Sequence, residues 1–122
     1  MNDMRQWMQL FESASGLVTD FKRRLDRFNQ RGGPVWVDLV PTGANEVTIE
    51  SITSENRKQG FGNEVMKMLC TMADQYHVTL KLQPVSYADY GEAPGGLGMD
   101  DLIMWYERFG FEMDYQTGFM YR

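Results

Sequence analysis

The chain has 122 residues, 43% of them hydrophobic, and a net charge of −5. That is one domain (1–122) with enough apolar content for a core, which excludes a disordered segment. The acidic balance argues against broad nucleic-acid binding and leaves room for a cationic partner such as an amine.

One cysteine, Cys70, excludes an internal disulfide and fits a reducing compartment. No apolar run approaches transmembrane length, and Asp3, Arg5, Gln6 and Gln9 do not make a secretory signal. The expected location is cytoplasmic, away from the membrane. The ten methionines read as fillers of an irregular core.

Met4, Trp7, Met8 and Phe11 recur at helical spacing over residues 2–13. Ser13 to Gly16 reads as a break. Leu17, Phe21, Leu25 and Phe28 then predict a second helix, whose other face carries Lys22, Arg23, Arg24, Arg27 and Arg31. Such a basic run is read first as a solvated face, and second as a site for an acidic partner or a cofactor phosphate. Arg31-Gly32-Gly33-Pro34 carries stop signals. Val35–Val40 is a strand by β-propensity, and Pro41–Asn45 turns the chain into a second strand at Glu46.

Val47, Ile49 and Ile52 lie among Thr48, Ser51 and Thr53, a β-rich run, and Val65, Leu69, Met72 and Tyr76 form one stripe of a helix over about 62–76. Between strand and helix lie Arg57, Lys58, Gln59, Gly60, Phe61 and Gly62. The first turn of a helix has backbone N–H groups without intrahelical partners, and with the helix dipole they make an anion site. Gly60 and Gly62 permit close approach, and Arg57 and Lys58 add charge. The competing reading is a turn that uses glycine for its own geometry. Two other phosphate motifs fail. Gly62-Asn63-Glu64 stands where a Walker A loop needs Gly-Lys-Ser/Thr, and Val65 stands at the third glycine of a dinucleotide fingerprint.

His77 ends the helix and reads as structural, and Cys70 reads as core packing. Val78, Leu80 and Leu82 predict a strand stopped by Pro84. Residues 84–99 form a long loop with Tyr87, Tyr90, Asp89 and Glu92, read as a mobile acceptor-site loop. Asp100 or Asp101 is placed to cap a helix that runs to about Phe109. Phe111, Met113, Phe119 and Tyr121 predict a closing hairpin around Tyr115–Gly118.

Arg57-Lys58-Gln59-Gly60-Phe61-Gly62 fits the R/Q-x-x-G-x-G/A signature of the GNAT superfamily of acyl-CoA N-acyltransferases. Leu102 to Phe111 resembles that family's later helix with its Y-x-x-x-G-F run, here Tyr106 to Phe111. The resemblance spans about residues 46–122. It implies an α/β (α+β) fold: a mixed, mostly antiparallel sheet flanked by helices, in the order α-α-β-β-α-β-α-β-β. The family's usual first strand has no counterpart before the N-terminal helices, so either that part is abbreviated or another chain completes it.

The resemblance implies acyl transfer from acetyl-CoA to a primary amine of a small molecule or protein. It assigns Arg57, Gln59, Gly60, Phe61, Gly62 and Asn63 to the pyrophosphate, and the backbone near Ile52 and Thr53 to the pantetheine arm. It makes Tyr106 the acid that protonates the departing thiolate; the other reading is a tyrosine packed on Phe109 and Phe111. A base is open between Glu46 and Glu50. They share parity, so an unbulged strand puts both on one face; either can equally be a solvated strand residue. Relatives often carry Asn seven residues before the tyrosine, where this chain has Met99. That departure supports a second reading, a weakly active or inactive CoA-binding or protein-interaction module. Its N-terminal aromatics would contact a partner or form a homodimer. Neither reading needs a metal.

Overall fold

The computed structural model describes residues 2–31, 35–54, 61–85 and 98–122, with side chains of α1 described from Ser13 onward and those of Ser54 and Phe61 left aside. The chain divides into two compact units, Met1–Leu80 and Lys81–Arg122. The fold is α+β, with three helices and a mixed, mostly antiparallel open sheet among the described residues. No described helix is long and apolar enough to cross a membrane.

In the first unit, α1 (Asn2–Gln30) is one helix, not two. The break expected at Ser13–Gly16 does not form. Thr19 Oγ1 donates to the Ser15 carbonyl 3.0 Å away, so the polar residues here bond within the helix. Gly16 serves packing: a Cβ there would lie 3.1 Å from the ring of Tyr76. The predicted order therefore contracts by one helix at its start. Ala14, Leu17, Phe21 and Leu25 form the buried stripe.

Two antiparallel strands follow, β1 (Val35–Gly43) and β2 (Glu46–Ser54). Asn29 joins α1 to β1. Its side chain donates to the Val35 carbonyl and accepts from the Val35 N–H, both at 2.9 Å. Val35, Val47 and Ile49 are buried against the helices. Each such side chain contributes roughly 1.5–3 kcal/mol by leaving water.

The register of the pair slips once in mid-strand. Asp38 lies opposite Ser51 and Leu39 opposite Ile49, so Glu50 has no partner residue on β1. This is a β-bulge, and it reverses parity along β2. The inward residues are Val47 and Ile49 before it and Ile52, opposite Val37, after it. The premise that placed Glu46 and Glu50 on one face, an unbulged strand, does not hold.

The helix α2 (Phe61–Tyr76) buries Val65, Met66, Leu69, Cys70, Met72 and Ala73. Cys70 is thus a core residue, as expected. His77 closes the helix in the left-handed region, at φ 55°, while Val78 N–H bonds the Ala73 carbonyl at 2.9 Å. His77 thus closes the helix through its backbone. Thr79, the first residue of β3 (Thr79–Leu82), donates its N–H to the Asn45 carbonyl at 2.8 Å.

The strand order is β1-β2-β3-β5-β4. The helical connection from β2 through α2 to β3 is what a parallel pair requires. Four residues in β3 can pair with no more than about half of the nine in β2.

In the second unit, Lys81 and Leu82 lie opposite Tyr121 and Met120 of β5 (Phe119–Tyr121), which pairs antiparallel with β4 (Glu112–Asp114). The predicted closing hairpin is present. Gly118 has φ 80°, and Gln116 N–H bonds the Asp114 side chain at 3.0 Å. The last helix, α3 (Met99–Glu107), begins one residue before Asp100. Its N-cap is Gly98, without a side-chain hydrogen bond. Asp100 and Asp101 therefore do not cap; they sit in the first turn, where they favour the helix dipole.

Candidate functional site

The carrier-binding half of the predicted site belongs to the first unit. Arg57, Gln59 and Gly60 lie outside the described residues, as does residue 58. Phe61 is the first residue of α2, so the helix starts inside the glycine motif. Gly62 occupies the first helical turn, where an added Cβ would meet nothing within 4 Å. Its φ is not among the positive glycine values, which belong to Gly110 and Gly118. Neither packing nor backbone strain within the described structure requires glycine at 62. Asn63 beside it is exposed.

On β2, Ile52 is half-buried and Thr53 exposed, opposite Val37 and Trp36. Because β3 is short, part of the β2 edge away from β1 lies beyond its reach.

The two candidate bases have different surroundings. Glu46 Oε2 accepts a 2.7 Å hydrogen bond from Thr42 Oγ1, and that hydroxyl also lies 3.0 Å from Thr48 Oγ1. Glu46 is thus part of a hydroxyl network at the turn end of the hairpin. Glu50 is the exposed, bulged residue nearer the glycine motif. Beside it, Ser51 donates to Asp38 at 2.8 Å. The bulge was not foreseen, although the sequence carries its signature: the apolar parity slips between Ile49 and Ile52.

Tyr106 belongs to the second unit and is 6% exposed. Its ring meets Trp105 and Phe111 edge-on, with centroids 5.0 and 5.8 Å away. Its carbonyl accepts from Phe109 N–H at 3.0 Å, which ties it into the end of α3. Burial pushes the phenol up to about 12. A buried hydroxyl ordinarily has a hydrogen-bond partner. The described contacts of this side chain are aromatic ones. Of the two rings expected to pack on Tyr106, Phe111 meets it, while the Phe109 ring meets Trp105 at 5.1 Å.

Met99, at the position where relatives carry Asn, is the first residue of α3 and 36% exposed. The acceptor loop expected at 84–99 falls mostly at 86–97, outside the described residues. Among the described residues no group of His, Cys, Asp and Glu could hold a metal ion.

Near the far end of α2, the Tyr76 hydroxyl donates to Asp20 Oδ2 on α1. That bond is the first cause of a raised phenol pKa, followed by burial and the charge of Asp20; Arg24 and Arg23 pull it down.

No family model matches the chain. No curated protein matches either. Among solved structures the chain is similar to the crystal structure of anti-CRISPR protein AcrVA5, at 21% identity and a TM-score of 0.55. The match covers 75% of this chain and 90% of that one. At that identity the likeness shows a shared α+β fold.

Proposed function

We propose that the chain is an acyl-CoA-dependent N-acyltransferase that moves an acetyl group from acetyl-CoA to a primary amine. The observation that carries this reading is Gly62. It lies in the first turn of α2, where a Cβ would meet nothing within 4 Å among the described residues and no positive φ calls for glycine. A ligand at the open N–H groups is a physical reason for it. The backbone of the Gln59–Asn63 segment then holds the pyrophosphate, with Arg57 alongside, and the β2 edge near Ile52 and Thr53 pairs with the pantetheine amides.

In the reaction a neutral amine attacks the thioester carbonyl. The C–N bond forms, the C–S bond breaks, and the thiolate takes a proton from Tyr106. The amine's surplus proton passes to a carboxylate or water. Glu50 is favoured over Glu46 as that base, because the Glu46 carboxylate is already engaged by Thr42. Tyr106, raised to about 12, is fully protonated at neutral pH. A thiolate has a reference pKa near 8.5. Donation from this phenol is therefore uphill until desolvation in the site raises the thiolate's proton affinity to match it.

A second reading is the interaction module. It is favoured by Trp36 and Val40, 49% and 40% exposed on the outward face of β1. Two measurements separate the readings: acetyl-CoA-dependent thermal stabilisation, and release of CoA thiol in a screen of small amines and lysine peptides. Stabilisation with amine-dependent thiol release supports the enzyme. Stabilisation without release supports the module, and the absence of both effects removes the acyl-CoA assignment.

A further inference from the structure

Five of the chain's twelve Lys and Arg residues lie between Lys22 and Arg31, in a protein of net charge −5. All five are exposed. They do not share one face. Gly16, Asp20, Arg24, Arg27 and Arg31 follow one another at spacings of four, four, three and four, which is one helical stripe. Its lower members touch α2: Gly16 lies under the Tyr76 ring, and Asp20 accepts the Tyr76 hydroxyl. Arg24, and Arg23 beside it, are both close enough to shift the Tyr76 phenol. The stripe therefore runs along the α2 side of α1. Lys22 stands two residues from Arg24, about 200° around the helix, on the opposite flank.

The direction of the stripe is fixed by hydrogen bonds. Ala14 N–H bonds the Ala44 carbonyl, and Thr79 N–H bonds the Asn45 carbonyl, so early α1 and the exit from α2 share the turn end of the hairpin. Asn29 clamps Val35, which lies opposite Ser54. The last turn of α1 and the entry to α2 thus share the other end, and the two helices are antiparallel. Asp20 to Arg31 spans about 16 Å and Tyr76 to Phe61 about 22 Å, at 1.5 Å per residue. Along the axis, Arg31 stops about one helical turn short of the α2 entry. The acid of that first turn is Glu64, which is exposed; Asp20 is engaged by Tyr76, and Asp26 lies off the stripe.

We propose that Arg27 and Arg31, with Arg24 behind them, hold the 3′-phosphate of the CoA ribose while the α2 entry holds the pyrophosphate. This rests on the acyl-CoA reading and adds a second anion subsite to it. The offset of one turn is a ribose-sized step, which is what separates the two phosphate groups in CoA. Arginine suits a terminal phosphate because its planar fork donates two parallel hydrogen bonds.

The test is titration calorimetry of CoA and 3′-dephospho-CoA against the wild type, an Arg27→Ala/Arg31→Ala variant and a Lys22→Ala variant. The exposed positions leave the fold intact, which a melting curve checks. The wild type should bind CoA at least tenfold more tightly than dephospho-CoA. The double variant should lose that preference with unchanged affinity for dephospho-CoA, and Lys22→Ala should keep it. Equal binding of the two ligands by the wild type, a preference that survives the double substitution, or one that Lys22→Ala abolishes equally would each overturn the subsite alone. Binding of neither ligand by the wild type would overturn the acyl-CoA reading, and the subsite with it.

Discussion

Replacing Gly62 with valine separates a glycine the fold needs from a glycine a ligand needs. A Cβ there meets nothing within 4 Å among the described residues, and the position is helical without a positive φ. Valine is preferred to glycine in a helix by a few tenths of a kcal/mol. The unliganded variant should therefore melt within about 3 °C of the wild type, taking roughly 4 °C per kcal/mol for a domain of this size. Acetyl-CoA at 100 times its Kd stabilises the wild type by about 2.7 kcal/mol, or about 10 °C on that scale. A branched Cβ over the helix entry should abolish this shift, because the pyrophosphate can no longer reach the N–H groups. Differential scanning fluorimetry with and without acetyl-CoA reads both quantities. An unchanged ligand shift in the variant would refute the reasoning, and so would a collapse of the unliganded protein, which would show that the fold itself requires this glycine.

Tyr106→Phe should keep CoA affinity and lower single-turnover acyl transfer by about 10²-fold, near 2.7 kcal/mol in barrier; wild-type turnover on a confirmed acceptor would remove Tyr106 as the acid. The same variant has a pH signature. The folded phenol is raised to about 12 from a reference of 10, so its contribution of roughly 3 kcal/mol is fully present below pH 10 and is lost as pH rises through 12. Denaturant melts between pH 9 and 11 should show a loss of stability in the wild type that the Phe variant lacks in part. Gly16→Val should lower stability by about 1–3 kcal/mol, because even its Cβ lies 3.1 Å from the Tyr76 ring, and Gly16→Val/Tyr76→Ala should recover part of the loss as the obstacle is removed.

The elements that buried one clean face were legible in the sequence. The Val65, Leu69, Met72 and Tyr76 stripe gave α2 within a residue of its observed start, and turn chemistry around Gly118 gave the last hairpin. What misled was local chemistry overridden by tertiary contact. Ser13 to Gly16 looked like a break, yet Gly16 is small because Tyr76, sixty residues on, packs against it. Asp100 and Asp101 looked like caps, yet α3 starts at Met99 and leaves both in its first turn.

At the site, residue types were legible and their relations were not. The bulge that isolates Glu50, and the engagement of Glu46 by Thr42, depend on the cross-strand register. Which of the basic residues lie beside α2 depends on the packing of α1 on α2, which the charge pattern alone does not carry.

The central claim is that this fold binds an acyl-CoA, and titration calorimetry of the wild-type chain with acetyl-CoA tests it most directly. The account predicts saturable binding at one site per chain, with an affinity that weakens as salt screens the phosphates. Absence of any saturable heat, at protein concentrations that would register a Kd of 100 μM, would contradict it.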